Sequence, residues 1–177
     1  MKSRTLFFAA VLCIFTASAY AQTLKIGYAD ANYILSLLPE SKQVQSDLAS
    51  HEKMLQTRLE AKYKDYQTKL AAYQQGAATM DEAIRKDKES ELIGLQQSIQ
   101  EFEGEAQNSI AKKQTDLLQP LFTKIGNAIE AVAKENNFDF IFSAGAQGVD
   151  VLLYAKEDKD ATALVLKKLG IDPPAKN

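Results

Sequence analysis

"NNFDFIFSAGAQGVDVLLYAKEDKD", residues 136–160, decides how this chain folds, because it breaks the long helical pattern that precedes it. Phe138, Phe140 and Phe142 alternate around Asp139 and Ile141, the two-residue period of a strand over 138–143. A second such run covers 149–155, and Gly145-Ala146-Gln147-Gly148 between the two predicts a hairpin connection. Asp158 or Asp160 then caps a final helix over about 160–169. Lys167 and Lys168 occupy its last turn, Gly170 stops it, and Pro173-Pro174 lie beyond, leaving 172–177 as a flexible tail.

Upstream, no proline occurs between Pro39 and Pro120, and glycine occurs only at 76, 94 and 104, so the stretch reads as helix. Val44, Leu48, His51, Leu55, Leu59, Lys62, Tyr66, Leu70 and Tyr73 form a seam with steps of 4, 3, 4, 4, 3, 4, 4 and 3. That spacing is closer to an eleven-residue repeat than to a heptad, which predicts nearly straight packing. Leu92, Leu95, Ile99, Phe102 and Ala106 continue a returning seam, extended less regularly through Ile110, Leu117, Leu121, Ile125, Ile129 and Val132. Between the runs, Gly76 suits a helix C-terminus, and Thr79-Met80-Asp81-Glu82 fits a capping box. The expected architecture is a long antiparallel hairpin over 39–120 with its tip near 76–80. Pro39 and Pro120, nearly equidistant from the tip, mark where this arm leaves a body made of 22–38 and 121–171.

Leu24, Ile26 and Tyr28 alternate in a first strand over about 24–29, and Asp30 can cap the helix after it. A returning helical hairpin brings this strand to the other two. Three short strands make a sheet that is marginal alone and has edges to cover, so several copies are expected to pool their sheets under cyclic symmetry. Leu24, Ile26, Tyr28, Phe138, Phe140, Phe142, Val149, Val151 and Leu153 are the candidate residues of this core and of its assembly between copies. The fold class is therefore mainly α with a small β part. On the arm, Met54, Tyr63, Tyr66, Tyr73 and Met80 are candidate contacts for weakly apolar, non-specific clients.

Lys2 and Arg4 precede an apolar run from Leu6 to Phe15, and Ala19-Tyr20-Ala21 resembles an A-x-A cleavage site. Residues 1–21 thus read as a secretory signal peptide cleaved after Ala21. Its removal discards Cys13, the sole cysteine, and leaves 19 basic against 23 acidic residues, a net charge of −4. The acidic balance argues against nucleic acid and anionic lipid as partners.

Catalytic constellations are not legible. His51 is the sole histidine and has no partners on its helix for a triad or metal set. Glu101, Glu103 and Glu105 point in different directions on a helix and read as a solvated face. Gly145–Gly148 lacks the lysine of a phosphate loop. The expectation is a binding protein with no enzymatic activity, metal or cofactor.

The strand "KIGYAD", then "LLPE", long helices, "LLQPLFTKIGNAIEAVAKENNFDFIFS", "VDVLLYA" and an Asp-started last helix resemble the Skp (OmpH-like) family over residues 24–170. The resemblance implies a homotrimeric periplasmic holdase that keeps unfolded outer-membrane β-barrel proteins in a cavity between its arms, without nucleotide. Well-known members are strongly basic. This chain departs from them, which speaks against lipopolysaccharide or membrane contact; Arg85-Lys86-Asp87-Lys88 near the tip is the one basic group placed for it. The alternative is a periplasmic coiled-coil spacer or adaptor docking a defined partner.

Overall fold

The structure, a computed structural model, describes residues 24–145 and 152–174. The expected signal peptide and two candidate core residues, Val149 and Val151, lie outside the described residues. The described chain is mainly helical, with a small strand part.

Strand β1 (Ile26–Ala29) and strand β2 (Phe140–Ser143) pair in parallel, with Ile26 opposite Phe140 and Tyr28 opposite Phe142. Parallel strands require a crossover connection. Here the crossover carries helices α1 (Ala31–Leu37), α2 (Pro39–Gly76) and α3 (Glu82–Glu135). After β2 come a single 3-10 turn at Glu157–Lys159 and helix α4 (Thr162–Lys168).

Local chemistry sets the boundaries. Asp30 accepts the Tyr33 N–H at 2.9 Å and so caps α1. Pro39 forces Leu38 into an extended conformation, which ends α1, and then occupies the first position of α2, where no donor is missed. At the end of α3, Asn137 takes a positive φ of 55°. The Phe138 N–H then reaches back to the Ala133 carbonyl at 2.9 Å, a Schellman closure that turns the chain from helix into β2. Gly170, at φ 79°, does the same for α4, with the Ile171 N–H bonded to the Leu166 carbonyl at 2.9 Å.

α2 and α3, of 38 and 54 residues, would measure about 57 and 81 Å as regular helices. Polar contacts between them link Glu40 with Lys124, His51 with Ser109, Lys62 with Ser98 and Tyr73 with Glu89. Partner numbers fall on one helix as they rise on the other, so the two run side by side in opposite directions. Val44, Leu55 and Ile99 are buried between them. Beyond Lys124, α3 changes company. Ile125, Ala128 and Val132 pack with Ala29, Ile34, Leu38, Val165 and Leu166 in the main core. The end of β1 and the start of α4 are joined directly: Asp30 N–H donates to the Thr162 hydroxyl at 3.1 Å, and Ala161 N–H to the Tyr28 carbonyl at 2.8 Å.

Two expectations need correcting, the third strand and the capping box. The sheet has two strands among the described residues, and residues 152–155 form no strand; the free edge of β1 is met instead by a bridge from Tyr28 to Asp160. The capping box at Thr79 does not form. Its hydroxyl donates to the Gly76 carbonyl at 3.0 Å, and α3 starts at Glu82 with no side-chain cap. Gly76 is the last residue of α2, as its sequence position suggests; it has no positive φ, and a Cβ there would stand 2.7 Å from the methyl end of the flexible Met80 side chain. Pro120 lies inside α3, where the helical seam continues past it. It lies on an exposed face, where water can satisfy the carbonyl it leaves without a donor, and α3 runs on to Glu135.

The glycines separate packing from tolerance. A Cβ on Gly27 would meet the Phe138 ring at 2.8 Å and the Lys159 carbonyl at 3.2 Å, whereas one on Gly104 meets nothing within 4 Å. Gly27→Ala is expected to destabilise the protein by about 1–3 kcal/mol and Gly104→Ala to stabilise it by up to about 1 kcal/mol. Thermal melting followed by circular dichroism checks both signs.

Candidate functional site

The small sheet has two unlike faces. Its inner face is made by Gly27 and Ala29, both buried, and by Ile141, which packs on the core; the Phe138 ring covers Gly27. Lys25 holds that corner closed. Its Nζ donates to the Asn136 carbonyl at 2.6 Å and sits 4.4 Å from the centre of the Phe138 ring, and its backbone N–H donates to Asp139 at 2.6 Å.

The outer face is open. Leu24, Ile26, Phe140 and Phe142 are 59, 41, 52 and 47 % exposed within one chain, and the two phenylalanine rings stack at 6.2 Å. Parallel register fixes this: Ile26 and Phe140 share a rung, as do Tyr28 and Phe142, so all four side chains emerge on one side. Leu153 and Tyr154 are more exposed still and belong to no strand. A contiguous apolar face of this kind marks an interaction surface. Burying the exposed half of each of these side chains gives about 1 kcal/mol apiece. Burial pushes the Tyr28 phenol up, with help from the charges of Asp160, Glu157 and Asp158.

Along the paired helices, every seam position read from the sequence is buried or half-buried, from Val44 to Tyr73 on α2 and from Leu92 to Val132 on α3. The polar members of the seam are satisfied across it. His51, expected to lack a partner, meets the Ser109 hydroxyl at 2.9 Å; no acidic residue bonds to its ring among the described residues. Lys62 donates to Ser98 at 2.7 Å and lies 5.6 Å from the centre of the Phe102 ring.

The five candidate client contacts divide. Met54 and Tyr63 are exposed, with the Tyr63 hydroxyl donating to Glu103 at 2.8 Å. Tyr66 and Tyr73 turn into the seam, and Tyr73 donates to Glu89 at 2.6 Å; Met80 folds over Gly76. These bonds to carboxylates raise the pKa of both Tyr63 and Tyr73. Exposed Ile84, Ile93 and Phe122 were missed by the sequence reading; Ile93, directly after the seam residue Leu92, could have been found as an apolar residue facing outward. Among the described residues no three His, Cys, Asp or Glu side chains are grouped to hold a metal, and no helix is long and apolar enough to cross a membrane.

An open apolar sheet face thus stands beside two long paired helices. The family described as outer membrane protein (OmpH-like) matches residues 25–169, nearly all of the described chain, and the protein belongs to that family. A crystal structure of a candidate outer membrane chaperone (OmpH-like) from Caulobacter crescentus CB15 superposes with a TM-score of 0.70. It covers 87 % of this chain and 89 % of its own, at 11 % identity, a likeness of fold. No curated protein matches the sequence.

The distal part of the helix pair should carry a pH signature. Hydrogen bonds from Lys69 and Lys88 hold the Glu91 carboxyl at about 2, below its ordinary 4.5. A depressed carboxylate adds stability above its unfolded value and loses it as the pH falls through the folded one. Amide protection, taken relative to the intrinsic exchange rate at each pH, should therefore fall around residues 65–73 and 86–93 as the pH drops from 4.5 towards about 2. In Glu91→Gln that protection should be low throughout; an unchanged profile in that variant would refute the assignment.

Proposed function

We propose that this protein is an exported, ATP-independent holdase chaperone, acting as a homotrimer, that binds unfolded outer-membrane β-barrel proteins and prevents their aggregation before assembly. The observation that carries the reading is the uncovered face of Leu24, Ile26, Phe140 and Phe142 on a sheet too small to stand alone. Copies joined through that face, with a rotation axis beside it, would all send their paired helices the same way, as arms around a shared space. Family membership and the name of the Caulobacter structure support the chaperone role. The signal-peptide pattern of residues 1–21, with cleavage after Ala21, supports a periplasmic location, where no ATP is available.

The physics of holding is mass action. A protein that binds only the unfolded state of a client withdraws it from aggregation, and many weak contacts inside an enclosed space add through effective concentration while each stays easily released. Met54 and Tyr63, exposed on the arm, are the proposed contacts among the five candidates that face outward.

Two measurements test this. Light scattering should give the mass of a trimer, and Phe140→Asp with Phe142→Asp should reduce it to about a third while leaving the fold intact, because both rings lie outside the core of the single chain. Outer-membrane barrels diluted from urea should stay soluble at stoichiometric chaperone without ATP. A monomeric wild type, or no suppression together with one tightly held partner, would replace this reading with a structural adaptor.

A further inference from the structure

Two polar rungs in the paired helices have matching spacing. His51–Ser109 and Lys62–Ser98 are eleven residues apart on both helices, three turns of an eleven-residue repeat. The apolar seam is interrupted at these rungs, and between them lies a cleft of about 490 Å³. Its floor is Leu55, Leu59, Ala106 and Ile110; Ala106, the smallest of the four, leaves the space open.

The rim is acidic. Glu52 and Glu103 line the cleft and no lysine or arginine does. Glu103 accepts the Tyr63 hydroxyl, and neither carboxylate has a cationic partner among the described residues. Other carboxylates on the same helices do have a cation beside them: Glu40 has Lys124, Glu91 has Lys69 and Lys88, and Glu89 has Arg85 at 4.0 Å. From Ile99 to Ala111, α3 carries three glutamates and no basic residue. An apolar floor beneath unneutralised carboxylates is complementary to an apolar side chain with a cation beside it.

We propose that this cleft is a docking site on the arm for an extended segment of unfolded polypeptide that presents a bulky apolar side chain next to lysine or arginine. The proposal rests on the chaperone reading and adds a preference to it. Clients whose apolar segments are flanked by basic residues are held better than those flanked by acidic ones. The two rungs frame the site by keeping the helices in register on either side of it.

The test uses the chain from Gln22, which has no cysteine, with Gln107→Cys in the cleft or Lys53→Cys outside it carrying a benzophenone. The probes are an apolar hexapeptide flanked by lysines and the same peptide flanked by glutamates. At the cleft position the lysine-flanked peptide should label about three- to tenfold more, the scale of one or two exposed ion pairs. The preference should vanish in high salt and in Glu52→Gln with Glu103→Gln, and labelling itself should fall in Ala106→Leu. Equal labelling by both peptides, or no excess over the Lys53→Cys control, overturns the proposal while aggregation suppression survives. Labelling of a second protomer in the absence of peptide also overturns it, making the cleft a contact between copies. Failure of the wild type to suppress aggregation overturns the chaperone reading itself.

Discussion

The parallel pairing of β1 with β2 is the constraint on which the rest depends. It joins Ile26 to Phe140 across the whole length of α1, α2 and α3. Closing a flexible loop of that length costs about 4 kcal/mol, more than four residues of two-stranded ladder can be expected to return. The connection is therefore not a loop. Two long helices, zipped by an apolar seam, carry the chain out and back, so most of the closure is achieved before the strands meet. Lys25, with its bonds to Asn136 and Asp139 and its contact with Phe138, then fastens the junction. α4 completes it from the other edge through Thr162 and Ala161.

From that pairing comes the asymmetry of the sheet. One face receives α1, α3 and α4 and is small-residued where the approach is close, at Gly27 and Ala29. The other receives no helix or strand among the described residues and presents phenylalanines. On the proposed reading this asymmetry is the protein's assembly code: the same register that buries Ile141 turns Phe140 and Phe142 outward, so folding a single copy creates the surface that joins it to others. The arms make the opposite compromise. Polar residues in their seam, each with a partner, sacrifice apolar burial for a defined register, and leave between them the bay lined by Glu52 and Glu103 that is proposed to meet a basic client.

Much of this was legible in the sequence because period and punctuation survive in single residues. The 3-4 stepping from Val44 to Tyr73, the capping aspartate at residue 30 and the stop at Gly170 all express local physics. Partnerships across the chain were not legible. That His51 meets Ser109 depends on the helix register, which no local pattern states. The phase of the strands could be read, but not which phase faces the chain's own core, because alternation is silent about where the neighbouring layer lies. The capping box at Thr79 failed for a related reason: a three-residue spacing was present, but α3 began at the residue that should have been its third. The OmpH-like resemblance, carried by the strands and the Pro120 segment, placed the chain in its family where periodicity alone left any coiled hairpin equally eligible.

Whether the open sheet face is covered by other copies can be read from stability itself. Unfolding by denaturant, followed at protein concentrations from high to low micromolar, links folding to assembly by mass action. The account predicts a midpoint that falls on dilution, and one that becomes insensitive to dilution once Phe140 and Phe142 are made charged. A wild-type midpoint that does not move with concentration would mean that Ile26, Phe140 and Phe142 remain in water in the native protein, and the assembly proposed here would not exist.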